Sequence, residues 1–304
     1  MNAVEITGLK KNFGGKRAVD GLSMTVPQGA VYGLIGENGS GKSTTEKMIC
    51  GLLPPDAGEI RLFGRDGKDG SVRFRMGALI ESPGCFPNRS VWSNMRIQAA
   101  NLDLKNPDAE IARVLKIVRM EGSASCKFKN CSLGMKQRIG VAFALLGNPS
   151  LLVLDEPLNG LDADGMRIMR EVLLDITKNQ GCTVLISSHL LGELEKIATH
   201  YGIIRAGKMI RELTAGALEK ECTSYILVRT GEKERAETIL RDKFHRTERT
   251  EDGIRVSGAT GPETVASVLL EAGVSLNGIS RERASLEEYY TDLMNKGGVR
   301  YGNR

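Results

Sequence analysis

The stretch Ala30-Val31-Tyr32-Gly33-Leu34-Ile35, followed by Gly36-Glu37-Asn38-Gly39-Ser40-Gly41-Lys42-Ser43-Thr44, decides how the rest of this sequence is read. The first part is an apolar run suited to a buried strand. The second fits the pattern G-x-x-x-x-G-K-S/T and leads into a helix that starts near Lys42. Gly36, Gly39 and Gly41 let the backbone turn inward, so that the N–H groups of the loop, from Asn38 and Ser40 through to Thr44, point at one place. The positive end of the helix dipole adds to them there. A triphosphate is what such a cup holds. Lys42 is expected to reach the β- and γ-phosphates as a point charge, and Ser43 to offer its hydroxyl to Mg2+. A glycine-rich turn that merely caps a helix is the competing reading, and the strand before and helix after the loop argue against it.

Working outward, a second apolar strand, Leu151-Leu152-Val153-Leu154, ends in two carboxylates, Asp155 and Glu156. A buried strand that delivers acids at its C-terminal end puts them where an open α/β sheet binds ligand. Asp155 is then a ligand for Mg2+, directly or through water, and Glu156 a general base for an attacking water. Short strands at Val4 to Leu9, Ala18 to Val26 and Gly58 to Phe63 flank the phosphate loop, and another apolar strand lies at Thr183 to Ile186. Between about residues 82 and 147 the pattern becomes helical, with Ile111, Val114, Leu115 and Val118 on one face. A helix is expected from about Asp164 to Asn179. Strand, helix, strand in this rhythm predicts an α/β fold with a largely parallel sheet and a helical subdomain.

A chain of 304 residues suggests roughly two domains of about 150 residues. The second is read as a small α/β domain over 216–304, after a first domain over 1–215. Its strands are expected at Tyr225 to Val228 and Ile254 to Val256, and its helices at Glu232 to Leu240, Glu263 to Glu271 and Leu286 to Met294. No apolar stretch reaches the roughly 18 residues of a spanning helix, and the N-terminus lacks the basic start of a signal peptide, so a cytoplasmic protein is expected. The 42 basic and 37 acidic residues are mixed along the chain, which gives no sign of a nucleic-acid partner. The six cysteines form no CxxC pair and read as reduced structural thiols. Trp92 reads as core packing in a loop entering the helical block, and His200 and His245 match no motif.

These residues together closely resemble the nucleotide-binding subunit of ATP-binding cassette (ABC) transporters, over residues 1 to about 215. Phe13 stands where that family has an aromatic that stacks on adenine. Cys131-Ser132-Leu133-Gly134-Met135-Lys136-Gln137 stands at the family signature, Asn159-Gly160-Leu161-Asp162 at the D-loop, and Ser188-His189 at the switch histidine that contacts the γ-phosphate. Ser132 opens an amphipathic helix, so its end is a second anion-binding helix start. The resemblance implies that the two starts act in trans. Two subunits stack head to tail, each ATP lying between the phosphate loop of one and Ser132 and Gly134 of the other, in a homodimer or pseudo-dimer. Cys131, Leu133 and Met135 depart from the family pattern, so only γ-phosphate binding is carried over.

Glu81, in Leu79-Ile80-Glu81-Ser82-Pro83, stands where most of the family has a Gln that touches Mg2+. A Glu there, with a Ser-Leu-Gly-Met-Lys-Gln-Arg signature, resembles the branch that exports bacitracin and lantibiotics or protects against them. The resemblance implies an ATPase at the inner face of the membrane, driving a separate permease, with ATP and Mg2+ as its ligands. A sensor or immunity module that uses ATP as a switch and a soluble cassette ATPase that works on DNA or ribosomes are the rivals. The latter is disfavoured by a single cassette without sustained heptads. Apolar Cys85, Phe86, Val91 and Trp92 lie among turn formers at Pro83 to Asn94, and either dock the permease or pack inward.

Overall fold

The computed structural model describes residues 1–222, 224–244 and 246–296. His245 lies outside the described residues. The chain divides into two compact units, Met1–Ala215 and Gly216–Arg304.

The first unit opens with a long hairpin, β1 (Asn2–Phe13) and β2 (Lys16–Pro27), turned by Gly14 and Gly15, both at positive φ. Chain order then gives β3 (Val31–Ile35), α1 (Lys42–Ile49), β4 (Ala57–Leu62), β5 (Arg65–Asp66), the short α2 (Gly70–Arg73) and β6 (Met76–Leu79). Strands β2-β1-β4-β5 form an antiparallel sheet. A helical block follows, α3 (Val91–Asn101), α4 (Pro107–Ile117) and α5 (Leu133–Leu145). In α4, Ile111, Val114 and Leu115 are buried, the face that the helical spacing predicts. The chain then returns through β7 (Leu151–Asp155), α6 (Ala163–Gln180), β8 (Thr183–Ser188), α7 (Leu191–Leu194), β9 (His200–Arg205) and β10 (Lys208–Thr214).

The second sheet runs β10-β9-β3-β8-β7-β6, parallel except for the edge strand β10. Strands β3, β7 and β8 are buried at every residue, as strands covered on both faces must be. Side chains of both sheets make one core, in which Ile6, Leu9 and Met24 meet Leu34, Val153 and Leu185, with Met48 and Ile49 of α1. That core fixes α1 and the loop before it.

The second unit begins within α8 (Ala215–Glu221) and holds β11 (Ser224–Arg229), α9 (Lys233–Lys243), β12 (Arg246–Arg249), β13 (Ile254–Ser257), α10 (Pro262–Glu271), β14 (Gly278–Arg283) and α11 (Leu286–Lys296). The sheet order β12-β13-β11-β14, antiparallel throughout, with α9 and α10 as the crossovers, is the split β-α-β arrangement of ferredoxin-like domains. Ile226, Val228, Ile254 and Val256 pack on Ala236, Leu240, Val265 and Leu269 of the two crossover helices.

Candidate nucleotide site

Strand register assembles the site before any side chain is considered. Ile35 of β3 pairs with Ser188 of β8, and Asp155 of β7 pairs with Ser187 of β8. Strands β3, β7 and β8 therefore leave the same edge of the sheet, carrying Gly36, Glu156 and His189 respectively. Gly41 closes the loop at φ +108, and a Cβ there would stand 2.5 Å from the Ala18 carbonyl oxygen, so only glycine fits. No side chain caps α1, which leaves its first N–H groups open to an anion.

Lys42 is 5% exposed. Its Nζ donates to the carbonyls of Gly36 at 2.7 Å and Glu37 at 3.3 Å, and stands 3.7 Å from Glu156 Oε1. The Oγ atoms of Ser43 and Ser187 both donate to Asp155 Oδ1, at 3.1 and 2.8 Å. Ser187 Oγ in turn accepts the N–H of Glu156 at 3.1 Å. Glu156 sits at φ +48, a left-handed backbone that costs a non-glycine residue about 1–2 kcal/mol. Such strain gathers at functional sites. It goes with a carboxylate whose Oε2 lies 2.8 Å from Nδ1 of His189. A cleft of ≈ 340 Å³ joins Phe13, Asn38, Gly39, Gly41, Lys42, Ser43, Thr44, Asp155 and Glu156. Phe13 stands at its mouth, half exposed.

Three of the expected contacts lie elsewhere on this chain. Ser132 caps α5 through the N–H of Met135 at 3.2 Å, and Asp162 caps α6 through the N–H of Gly165 at 2.8 Å. Both are exposed. Leu133 packs on Gly160 and Gly134 faces Leu161, so the signature leans on the D-loop of its own chain, outside the Lys42 cleft.

Glu81, expected at Mg2+, stands with Lys47 in this structure. Its backbone is left-handed at φ +64 and its side chain is 68% exposed, paired with Lys47 Nζ at 2.6 Å. Lys47, on the last turn of α1, captures the carboxylate, and the structure does not bring it to Ser43 and Asp155. Trp92 is likewise half-buried in the first turn of α3, where a loop is expected.

Glu46 is a residue that motif reading misses. One helical turn beyond Lys42, it is fully buried, and neither carboxyl oxygen has a hydrogen-bond partner. It faces Asp155, Ser187 and Lys42. Burial first, and the Asp155 charge second, push its carboxyl well above the usual range.

A glycine loop between strand and helix, with an acid pair ending the second strand over, defines a phosphate-loop nucleoside triphosphatase. The helical block with its second helix start narrows the class, and the comparisons agree. The family model described as ABC transporter matches residues 19–159. The bacitracin transport ATP-binding protein BcrA of Bacillus licheniformis is 36% identical over 302 residues, covering 97% of this chain and 98% of the relative. The lantibiotic transport ATP-binding protein SrtF of Streptococcus pyogenes is 39% identical over 209 residues, 69% of this chain and 90% of the relative. A solved ATP-binding subunit of an ABC transporter superposes with TM-score 0.64 at 28% identity, over 72% of this chain and 92% of that one. This chain belongs to the ABC transporter ATP-binding subunits and is an ATPase of that family. Subunits of this kind dimerise and pair with membrane permease components. Among the described residues no helix is long and apolar enough to cross a membrane.

Proposed function

We propose that two copies of this chain, or one copy and a close relative, enclose ATP between the Lys42 loop of one and the Ser132 helix start of the other. Its hydrolysis then drives a separate permease that exports a peptide antibiotic of the bacitracin or lantibiotic kind. The observation that carries the catalytic part is Glu156, poised at the end of β7 between His189 and Lys42. Glu156 accepts the proton of the attacking water. His189, with Nδ1 engaged by Glu156, keeps Nε2 for the γ-phosphate or that water. Phe13 offers its ring to adenine.

Ser43 and Asp155 suit Mg2+, since a hydroxyl and a carboxylate 3.1 Å apart are the hard oxygen donors that ion takes. When bound, it neutralises charge on the β- and γ-phosphates. The bacitracin assignment is supported by the BcrA match, which at 97% of the chain includes the second unit.

The permease needs a docking surface. A groove of ≈ 500 Å³ lies beside β6 and α5, lined by Leu52, Phe74, Pro83, Leu104 and Phe143. Phe86, 56% exposed, stands nearby in sequence, its loop clamped by Asn94, whose Oδ1 accepts the Phe86 N–H at 2.7 Å. Val91 is buried, and Cys85 and Trp92 are half-buried, so Phe86 is the ring left for a partner. Through that partner the subunit sits at the cytoplasmic face of the membrane.

Glu156→Gln tests the catalytic assignment. It keeps the shape and removes the base, so turnover should fall by ~10²–10⁴-fold while ATP holds two chains together in size-exclusion chromatography. Normal turnover by this variant would sink the reading. For docking, Phe86→Asp should hydrolyse ATP normally yet fail to copurify with the permease; normal copurification would move the docking site elsewhere.

A further inference from the structure

The loop that leads into Ser132 carries two thiols that the chemistry above does not use. Sγ of Cys131 stands 3.8 Å from Sγ of Cys126. Both also approach the Lys127 carbonyl, at 3.7 and 3.5 Å. The backbone around them is tied down from outside. Val91 N–H donates to the Cys126 carbonyl, Trp92 N–H to that of Ala124 and Phe128 N–H to that of Arg89, and Ser90 bridges Lys127. Closing the 3.8 Å between the sulfurs to the ~2.05 Å of a disulfide therefore draws Cys131 toward the held Cys126.

Cys131 is also the residue immediately before the cap of α5. Its side chain is 4% exposed, whereas that of Cys126 is only half-buried. Burial and the neighbouring Cys126 push the Cys131 thiol up to about 11. Cys126 is therefore the sulfur an oxidant meets, and Cys131 the one that resolves.

We propose that Cys126 and Cys131 form a peroxide-sensitive dithiol whose disulfide disables the Ser132 helix start. The switch rests on the reading of Ser132 as the contact to ATP on a second chain. The Cys126 thiolate attacks one oxygen of hydrogen peroxide, the O–O bond breaks, and a sulfenic acid forms as hydroxide leaves and becomes water. Cys131 sulfur then attacks Cys126 sulfur, the S–O bond breaks, and the departing hydroxide takes the Cys131 proton as a second water. Two thiols lose two electrons and peroxide gains them. Drawing Cys131 toward Cys126 pulls on the residue joined to Ser132 and displaces the hydroxyl that closes the helix.

The test treats the purified 304-residue chain with hydrogen peroxide, blocks remaining thiols, and maps linked peptides by mass spectrometry without reduction. ATP turnover is measured before treatment, after it, and after reduction with dithiothreitol. A Cys126–Cys131 link, with turnover down about tenfold, the scale of a lost hydrogen bond to phosphate, and restored by reductant, supports the switch. Cys126→Ser and Cys126→Ala should turn over ATP normally and resist peroxide. A Cys85–Cys131 link, a linked protein with unchanged turnover, or Cys126→Ser losing activity as the unaltered chain does would each overturn it. If the reduced protein hydrolyses no ATP, the functional reading and the switch fail together, whereas the linked mass still establishes the dithiol.

Discussion

The two helix starts suited to phosphate, at α1 and at α5, are finished to different degrees. At α1 the charge is buried, with Lys42 5% exposed and held by two carbonyls and Glu156. At α5 the cap Ser132 is exposed, and so is the Leu133 side chain beside it, at 53%. A phosphate contact gains strength as water is excluded. The α1 end reaches that condition within one chain and should set affinity. The α5 end reaches it only when another surface covers it, and should act on the step that needs two chains.

Lys42→Ala attacks the finished end and should have the largest effect, weakening ATP binding roughly hundredfold or more, the worth of a charge-assisted contact. Titration calorimetry with Mg·ATP measures this, and unchanged affinity would erase the distinction between the two ends. Ser132→Ala attacks the unfinished one. Binding of ATP to the single chain should stay as it was, while turnover and ATP-dependent dimerisation weaken about tenfold. Equal losses of binding and turnover would mean that Ser132 serves the ATP of its own chain.

Glu46→Met sharpens the first half of the contrast, because the α1 end is built over a buried acid without a hydrogen bond. Removing that acid should stabilise the apo protein by about 1–3 kcal/mol at neutral pH. The sign follows from the raised carboxyl. Below the ordinary value of 4.5 both folded and unfolded chains hold the proton, and Glu46 costs little by ionisation. Above it the unfolded chain releases the proton and the folded chain keeps it, so stability falls as pH rises. The advantage of Glu46→Met in denaturant melts should therefore grow from pH 4.5 upward. A difference that does not change with pH would place Glu46 in a solvated pocket.

Much of this was legible in the sequence, for identifiable reasons. The run Leu151–Leu154 and the Gly36–Ser43 loop are buried or conformationally forced, and such constraints leave patterns. Strands β10, β12 and β14 left none, since almost none of their residues is fully buried and they are rich in charged residues. Pairing alone makes them strands. Glu46 was hidden because an acid one turn into a helix reads as a solvated face, and only the register of β7 with β8 puts Asp155 and Ser187 against it. Glu81 was placed by analogy to a motif position, which says nothing of side-chain direction, and Lys47 decides that locally. The thiol pair is spaced too widely for a CxxC motif, and it is a turn of loop that brings the sulfurs together.

The left-handed backbone of Glu156 bears on how this chain would change under different selection. Glycine or asparagine would occupy φ +48 with less strain, yet neither can take a proton from water. A population selected only for resistance to heat gains by replacing Glu156, and one selected for pumping cannot afford to. Thermostable laboratory lineages should drift toward inert cassettes at this one position unless activity is screened alongside.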